Sequence, residues 1–597
     1  MAVTIIKSPL PGHVLSIACK EGDTIPKGKD IVIIEAMKME NAITAPDNIL
    51  IKSVYKTEGD IIKKDEAILS AEIISPAALS STATEKNEQS PSPNKLKELN
   101  DRREFLLDKN RERATEKRKK KGYNTARENL NLLVDDGSFQ EYGGFIIAAQ
   151  LSRRSKEDLI RETPADGLIA GTATVNASDY KKNTECAVLI YDYAVLAGTQ
   201  GTMNHLKMDR VLEIAHRNNL PTILFAEGGG GRPGDVDQQT IAGLHISTFY
   251  QFAALNGKVP LVSIVNGYCF AGNAALAGSS DIIIATKSIS LGMGGPAMIE
   301  GGGLGNVAPK EIGPYAVHME NGVIDILVEN ETEAIEKAKQ YLSYFQGIAA
   351  HWESSEQSLL NSIIPENRKR LYAVRDVITT LFDTNSVLEL RQWYGGGIVT
   401  GLARIEGIPV AVIANDPSVN AGAITHHAAI KMKEFLELVN THKLPIISLV
   451  DTPGIMVGPD SEKTGNVKHA SRLFVAAAKL DVPMIGIVTR RAYGLGAMAM
   501  VGGSMHIPNI MLAWPSGEFG AMGLEGAVKL GFRKELEAVK DPEERENLYA
   551  QMVELAYERG KALSMATHFE IDDVIQPKET RKRIVQSLKS NKGKYES

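Results

Sequence analysis

The first 74 residues alternate short apolar runs with polar turns. Asp30-Ile31-Val32-Ile33-Ile34 is a β-branched run that predicts a strand, and Asn41-Ala42-Ile43-Thr44-Ala45-Pro46 predicts its returning partner. Lys38 then falls near the tip of a hairpin. The pattern is repeated: Ser8-Pro9 through Glu21-Gly22-Asp23 recurs as Ala45-Pro46 through Glu58-Gly59-Asp60, at a constant shift of 37 positions. In each copy an apolar strand leads into Gly-Asp turn chemistry and a second strand follows, Ile31 to Ile34 and then Ala67 to Ile73. Two similar four-strand halves predict an all-β flattened sandwich over residues 1–74.

Residues 75–96 lose the periodicity and are rich in Ser, Ala and Pro, which predicts a flexible linker. Its r.m.s. span is roughly 25 Å and its full extension about 75 Å, enough for a tethered carrier to visit two distant sites. From residue 97 a longer repeat takes over. Ala126-Arg127-Glu128 through Glu141 recurs as Val374-Arg375-Asp376 through Glu389. Leu220-Pro221 through Gly230 pairs with Leu444-Pro445 through Gly454, and Val259-Pro260 with Val482-Pro483. Each copy alternates β-branched strands with amphipathic helices, as in Val410–Ala414 followed by Ala428–Val439. That rhythm predicts two tandem α/β domains, 97–358 and 359–597. The helix with Ile335, Ala338, Leu342 and Phe345 on one face closes the first.

A chain of 597 residues is too long for one core, and a net charge of −6 argues against general nucleic-acid affinity. No apolar run reaches membrane-spanning length, so no membrane partner is expected. The start, Met1 to Lys7, already reads as a strand, and no signal or transit peptide is expected before it. Cys19, Cys186 and Cys269 are few and far apart, which fits a reducing compartment, the cytoplasm, and excludes a four-cysteine zinc site. His205, His318, His426 and His427 lack metalloprotease spacing, so no metal site is expected. Asp451-Thr452-Pro453-Gly454 is not accompanied by a phosphate-binding GxxxxGK[ST] segment. The basic run Arg111 to Lys121 reads as a solvated helix face, with the phosphates of a ligand as the alternative partner.

Two turns carry candidate chemistry. In each half a buried strand ends in a glycine-bearing turn that opens a helix: Val265 to Asn273 in the first, Val488 to Ala497 in the second. Free N–H groups at such a turn hold a negative oxygen, the requirement of an oxyanion hole.

Glu35-Ala36-Met37-Lys38-Met39-Glu40 resembles the biotin-acceptor motif, in which a lysine between two methionines (Met37 and Met39 here) carries biotin. Residues 97–597 resemble the carboxyltransferase component of acyl-CoA carboxylases. The resemblance rests on Gly401 to Val410, Asp451 to Gly458, Arg491-Ala492-Tyr493-Gly494, and Ala513-Trp514-Pro515-Ser516 with Met522 to Ala527. It implies a biotinyl/lipoyl-like module followed by two crotonase-like domains, with the active site between the first half of one subunit and the second half of another. It further implies thioester-oxygen donors at the amides of Ala271 and Gly272, and biotin-oxygen donors at those of Leu495 and Gly496. Tyr493 and Gly494 then border the cofactor, and Met498 falls where acyl choice is tuned.

The implied reaction transfers CO2 from carboxybiotin, with biotin covalent on Lys38, to the α-carbon of an acyl-CoA. The implied partners are a biotin protein ligase, a separate biotin carboxylase and further copies of the chain, as a dimer or trimer of dimers. A transcarboxylase or decarboxylase component and an inactive biotin-presenting scaffold are the alternative readings. The chain departs from the family pattern at Ala271, where a glycine is usual, at Leu495-Gly496, and in Glu227 to Gly234 and Gly292 to Gly305.

Overall fold

The computed structural model describes residues 3–75, 94–237 and 243–590. The chain divides into two compact units, Met1–Pro93 and Asn94–Ser597. Most of the expected linker, 76–93, lies outside the described residues. Its last three positions instead open the helix Asn94–Glu104, where Lys95, Leu96, Lys97, Glu98 and Leu99 are all good helix formers.

The first unit is two four-stranded sheets. One runs Val3–Lys7, Ala67–Ile73, Ile49–Val54, Thr24–Ile25; the other runs Met39–Thr44, Asp30–Ala36, Gly12–Ile17, Ile61–Ile62. All pairings are antiparallel, and each sheet draws two strands from each sequence repeat. The repeat is visible atom by atom. The Gly22 amide donates to Ile51 O at 2.9 Å and the Gly59 amide to Val14 O at 2.8 Å, while Ile51 N and Val14 N donate back to Asp23 O and Asp60 O. Gly22 and Gly59 hold φ of 90° and 92°, backbone that a side chain resists. Ile31, Ile34, Ile49, Ile51, Ile62 and Ile68 fill the core between the sheets.

The second unit contains the predicted duplication. The first sheet runs Ile326–Val328, Ile282–Thr286, Leu261–Val265, Thr222–Phe225, Glu185–Tyr191, Leu168–Thr174, Gln140–Glu141. Read from its other end, the second has the same plan: Leu388–Leu390, Ile398–Ile405, Ile408–Asn415, Ile446–Thr452, Met484–Tyr493, Ile510–Ala513, Asp573–Val574. In both, the strands through the middle are parallel and buried, with antiparallel pairs at one edge.

The polar anchors are duplicated too. Arg127 clamps Glu141 and Arg375 clamps Glu389, each through two bonds. Lys207 and Lys431, buried on equivalent helices, donate to Leu168 O and Ile398 O at the start of equivalent strands. Burial brings both ammonium groups down to about 8. One apolar cluster runs through both halves, including Ile335, Ala338 and Leu342 of helix Glu331–Ser343 and Met432, Phe435 and Leu436 of helix His426–Thr441.

The basic run differs from its sequence reading. Arg111 bonds Asp192 at 2.6 Å, and Arg118 reaches Glu227 at 2.7 Å and Glu331 at 3.1 Å, all of them nearly out of solvent. Only part of the face is solvated: Lys119 and Lys120 are exposed and pair with Glu128 and Glu116. The two arginines turn inward because unpaired buried carboxylates at the strand ends would otherwise be costly.

Candidate active site

The carrier hairpin closes at Ala36 and Met39, which pair across a two-residue turn made of Met37 and Lys38. Both hold left-handed backbone, φ 53° and 65°. This is the primed turn that hairpin twist favours, and Asn-Gly is its usual occupant. Met37 is 99% exposed and Met39 71%, and the Lys38 amine has no hydrogen-bond or ion-pair partner among the described residues. Large residues in strained backbone, with apolar side chains in water and a free amine, make poor sense for folding. They suit a lysine that is read and modified by another protein, so the residues fit covalent attachment of biotin. Replacing Met37-Lys38 with Asn-Gly is expected to raise the carrier's stability by about 1–2 kcal/mol, measured as a higher urea midpoint, while abolishing attachment.

In the second unit, three segments of each half meet at the carboxyl ends of the central strands. In the first half these are the turn Leu196–Gly198, the loop Glu227–Gly230 after strand Thr222–Phe225, and Ala271–Gly272 opening helix Gly272–Gly278. Their backbones touch: a Cβ on Gly198 would lie 2.2 Å from Glu227 O, and one on Gly230 would lie 2.6 Å from the Ala271 Cβ. The second half repeats this with Asn420–Gly422, Asp451–Gly454 and Gly494–Gly496. A Cβ on Gly422 would meet Asp451 O at 2.5 Å, and one on Gly496 would meet Gly454 C and Cα at 2.6 Å. The Asp451-Thr452-Pro453-Gly454 turn therefore rests directly on the second helix-opening turn. Thr452 fixes it, donating from Oγ1 to Gly422 O at 2.8 Å and accepting from the Gly454 amide at 3.1 Å.

The two turns are not equivalent in their donors. The Leu495 and Gly496 amides open their helix without a partner among the described residues. In the first half the Ala271 amide donates to Gly292 O at 3.0 Å, so it is spent within the chain, and the free donor of the expected pair is the Gly272 amide. Ala271 sits at φ 51° and ψ −120°, a conformation that favours glycine. Ala271→Gly is expected to raise stability by about 1 kcal/mol by thermal unfolding with turnover kept.

Each cradle stands on a buried charge cluster that sequence reasoning missed. Under the first, Glu227 bonds Arg118, and burial, which outweighs the guanidinium, pushes its carboxyl up to about 7. Under the second, Asp451 accepts from Tyr372 Oη at 3.0 Å, Arg490 Nε at 3.1 Å and Arg491 Nε at 2.7 Å. Tyr493 donates from its hydroxyl to Glu518 Oε2 at 3.1 Å, and burial raises both groups. The repeat itself held the signal: Glu227 and Asp451 are aligned acids in otherwise apolar strand ends. Met498 lies one turn along the second helix and lines a cavity beside it. Among the described residues no hydrogen bond or ion pair links the Ala271 turn to the Gly494 turn within the chain.

Comparison with known proteins matches this architecture. A carboxyl transferase domain covers residues 117–596, and a biotin-requiring enzyme domain covers residues 4–70. The methylmalonyl-CoA carboxyltransferase 12S subunit of Propionibacterium freudenreichii subsp. shermanii is 30% identical over 83% of this chain and 93% of its own. The crystal structure of a transcarboxylase 12S hexamer core, with methylmalonyl-coenzyme A and methylmalonic acid bound, superposes with a TM-score of 0.74. It is 29% identical and covers 87% of this chain and 98% of its own. A single-chain, multi-domain long-chain acyl-CoA carboxylase is 48% identical with a TM-score of 0.79. That match covers 98% of this chain, which spans 56% of the larger protein.

A sandwich module of the biotin-requiring type thus precedes two crotonase-like halves, and the chain belongs to the carboxyl transferase family as an enzyme that uses covalently attached biotin.

Proposed function

We propose that the chain is the carrier and carboxyltransferase subunit of an acyl-CoA carboxylase, with Lys38 as the biotin-bearing residue. The observation that carries this is the pair of like-built cradles, each ending in unspent helix-opening amides, in a chain that also presents an unpartnered hairpin lysine. Biotin on Lys38, when present, supplies the carboxyl group. The Gly272 amide holds the thioester oxygen of the acyl-CoA and would stabilise the negative charge that grows there during transfer. The Leu495 and Gly496 amides hold the ureido oxygen of the cofactor, and Tyr493, fixed on Glu518, walls that side. Donors already aimed at such oxygens need no reorganisation during reaction, which is why each is worth about 10²–10³ in rate.

The two cradles work together when the first half of one subunit faces the second half of another, so a homo-oligomer is required. The hexameric core of the related 12S protein supports this. A separate biotin carboxylase is the proposed partner that charges the cofactor. A biotin protein ligase installs the cofactor. The carrier occupies 1–74 and the two halves 97–358 and 359–597; Leu360, just past that boundary, packs into the second half's core. No helix among the described residues is long and apolar enough to cross a membrane. The three cysteines are free and buried, which supports the reducing setting of a cytoplasm.

The test is reconstitution of the biotinylated chain with a biotin carboxylase, ATP, labelled bicarbonate and a panel of acyl-CoA esters. Label is expected in the acyl-CoA product only with all components. Cofactor carboxylation by this chain alone would overturn the division of labour.

A further inference from the structure

Sulfur is spread through the whole chain, in 18 methionines and three cysteines, and the structure sorts it by access. The three thiols are buried. Burial pushes the Cys186 thiol up to about 12 and raises those of Cys19 and Cys269 as well. Little thiolate forms at such groups, and thiolate is the form that peroxides attack. Met208, Met432, Met500 and Met511 are fully buried too. The most exposed sulfur side chain among the described residues is Met37, and Met39 stands in water two positions on. Met293 and Met298 are also exposed but belong to the second unit.

The fold is indifferent to what happens at the two carrier sulfurs. Ala36 and Met39 pair through their backbones, and the carrier's core has no methionine among its described members. A polar oxygen added to either thioether stays in water and costs the hairpin little. A protein that reads the tip meets a different surface, because a flexible apolar chain has become polar and chiral.

We propose that Met37 and Met39 are an oxidation site for hydroperoxides, and that their sulfoxides block attachment of biotin to Lys38. The inference rests on the reading of Lys38 as the biotin-bearing residue. In the step, a thioether sulfur attacks the terminal oxygen of the peroxide and the O–O bond breaks. The proton on the transferred oxygen passes to the departing one, which leaves as water or an alcohol. The sulfur loses two electrons and the peroxide gains them. A sulfoxide reductase, drawing two electrons and two protons from a dithiol, returns thioether and water, so the block is reversible. An oxygen pressed against a partner shaped for apolar thioethers has no donor to meet it, which lowers attachment by about tenfold or more.

The experiment treats the full chain, before biotin is attached, with hydrogen peroxide and follows each methionine by peptide mass spectrometry over time. Attachment by a biotin protein ligase is then timed with and without prior sulfoxide reductase, and thermal unfolding is recorded on the same samples. Met37 and Met39 are expected to gain oxygen well before Met208, Met432, Met500 and Met511. Attachment should fall about tenfold, recover with the reductase, and leave the carrier's unfolding unchanged. The double variant Met37→Leu/Met39→Leu keeps apolar side chains without an oxidisable sulfur. Its attachment, compared with its own untreated sample, should not respond to peroxide. A response in that variant would overturn the assignment, as would full attachment to a chain with both methionines oxidised, or earlier oxidation of the buried sulfurs. No attachment to untreated chain would overturn the Lys38 reading and the block with it, while the time course would still decide whether these methionines are the oxidation site.

Discussion

Lys38→Arg is expected to abolish carboxyl transfer through the chain's own carrier, a loss beyond the range of the assay. Arginine keeps the positive charge and can adopt the same hairpin tip, so the carrier fold is kept. What it lacks is an amine able to form an amide with biotin, since the guanidinium is a far weaker nucleophile and stays protonated. The geometry makes this a clean experiment. Lys38 anchors no other group among the described residues, and its neighbours Met37 and Met39 lie in solvent. Avidin blotting and intact mass should show the variant unmodified with unchanged thermal unfolding. Full labelled-CO2 incorporation by unmodified Lys38→Arg protein would refute the carrier assignment. Addition of free biotin to the variant separates the two roles: partial recovery would show that the cradles are intact and that only tethering was lost.

Gly496→Ala is expected to lower kcat by about 10²–10³, with a stability loss of about 1–3 kcal/mol. The new methyl would sit 2.6 Å from the carbonyl carbon and Cα of Gly454 and 2.9 Å from Ile455 N. These are backbone atoms held by Thr452 and by the Ile424 amide, which donates to Gly454 O at 3.0 Å, so they cannot swing aside as a side chain would. Either the Asp451–Gly454 turn or the helix has to move, and both Leu495 and Gly496 amides move with the helix. The first half offers the contrast. A Cβ on Gly272 would press on Gln200 Oε1, a side-chain atom, and Gln200 can give way by releasing Tyr191. Gly272→Ala should therefore cost less than Gly496→Ala under identical assay. The reverse order would show that the second cradle does not hold the reacting oxygen.

Much of this molecule could be read from residue order. The shift of 37 positions foretold the paired Gly22 and Gly59 turns, and the longer repeat foretold two sheets of one plan. Both follow from local rules, period and turn chemistry, copied twice. The helix-opening turns were legible because glycine next to a buried strand is informative about backbone. Three things were not legible. Arg111 and Arg118 turned out to be buried partners of Asp192 and Glu227, because a charge run says nothing about acids 81 and 109 positions away. The Ala271 amide was expected to be free, yet Gly292 O, on the strand Ser290–Gly292, takes it. The cavity beside Met498 depends on how helices Leu524–Gly531 and Pro542–Arg559 splay from the sheet, and no periodicity encodes that.

The carrier's two sheets have a consequence for synthesis. Val3–Lys7, the carrier's first strand, pairs among the described residues with Ala67–Ile73, its last. That sheet cannot close before Ala67–Ile73 is present, whereas the other is complete with Ile61–Ile62, so the module finishes through long-range contacts. A chain cut short before Ala67–Ile73 would leave Val3–Lys7 without its strand partner and the core without Ile68 and Leu69.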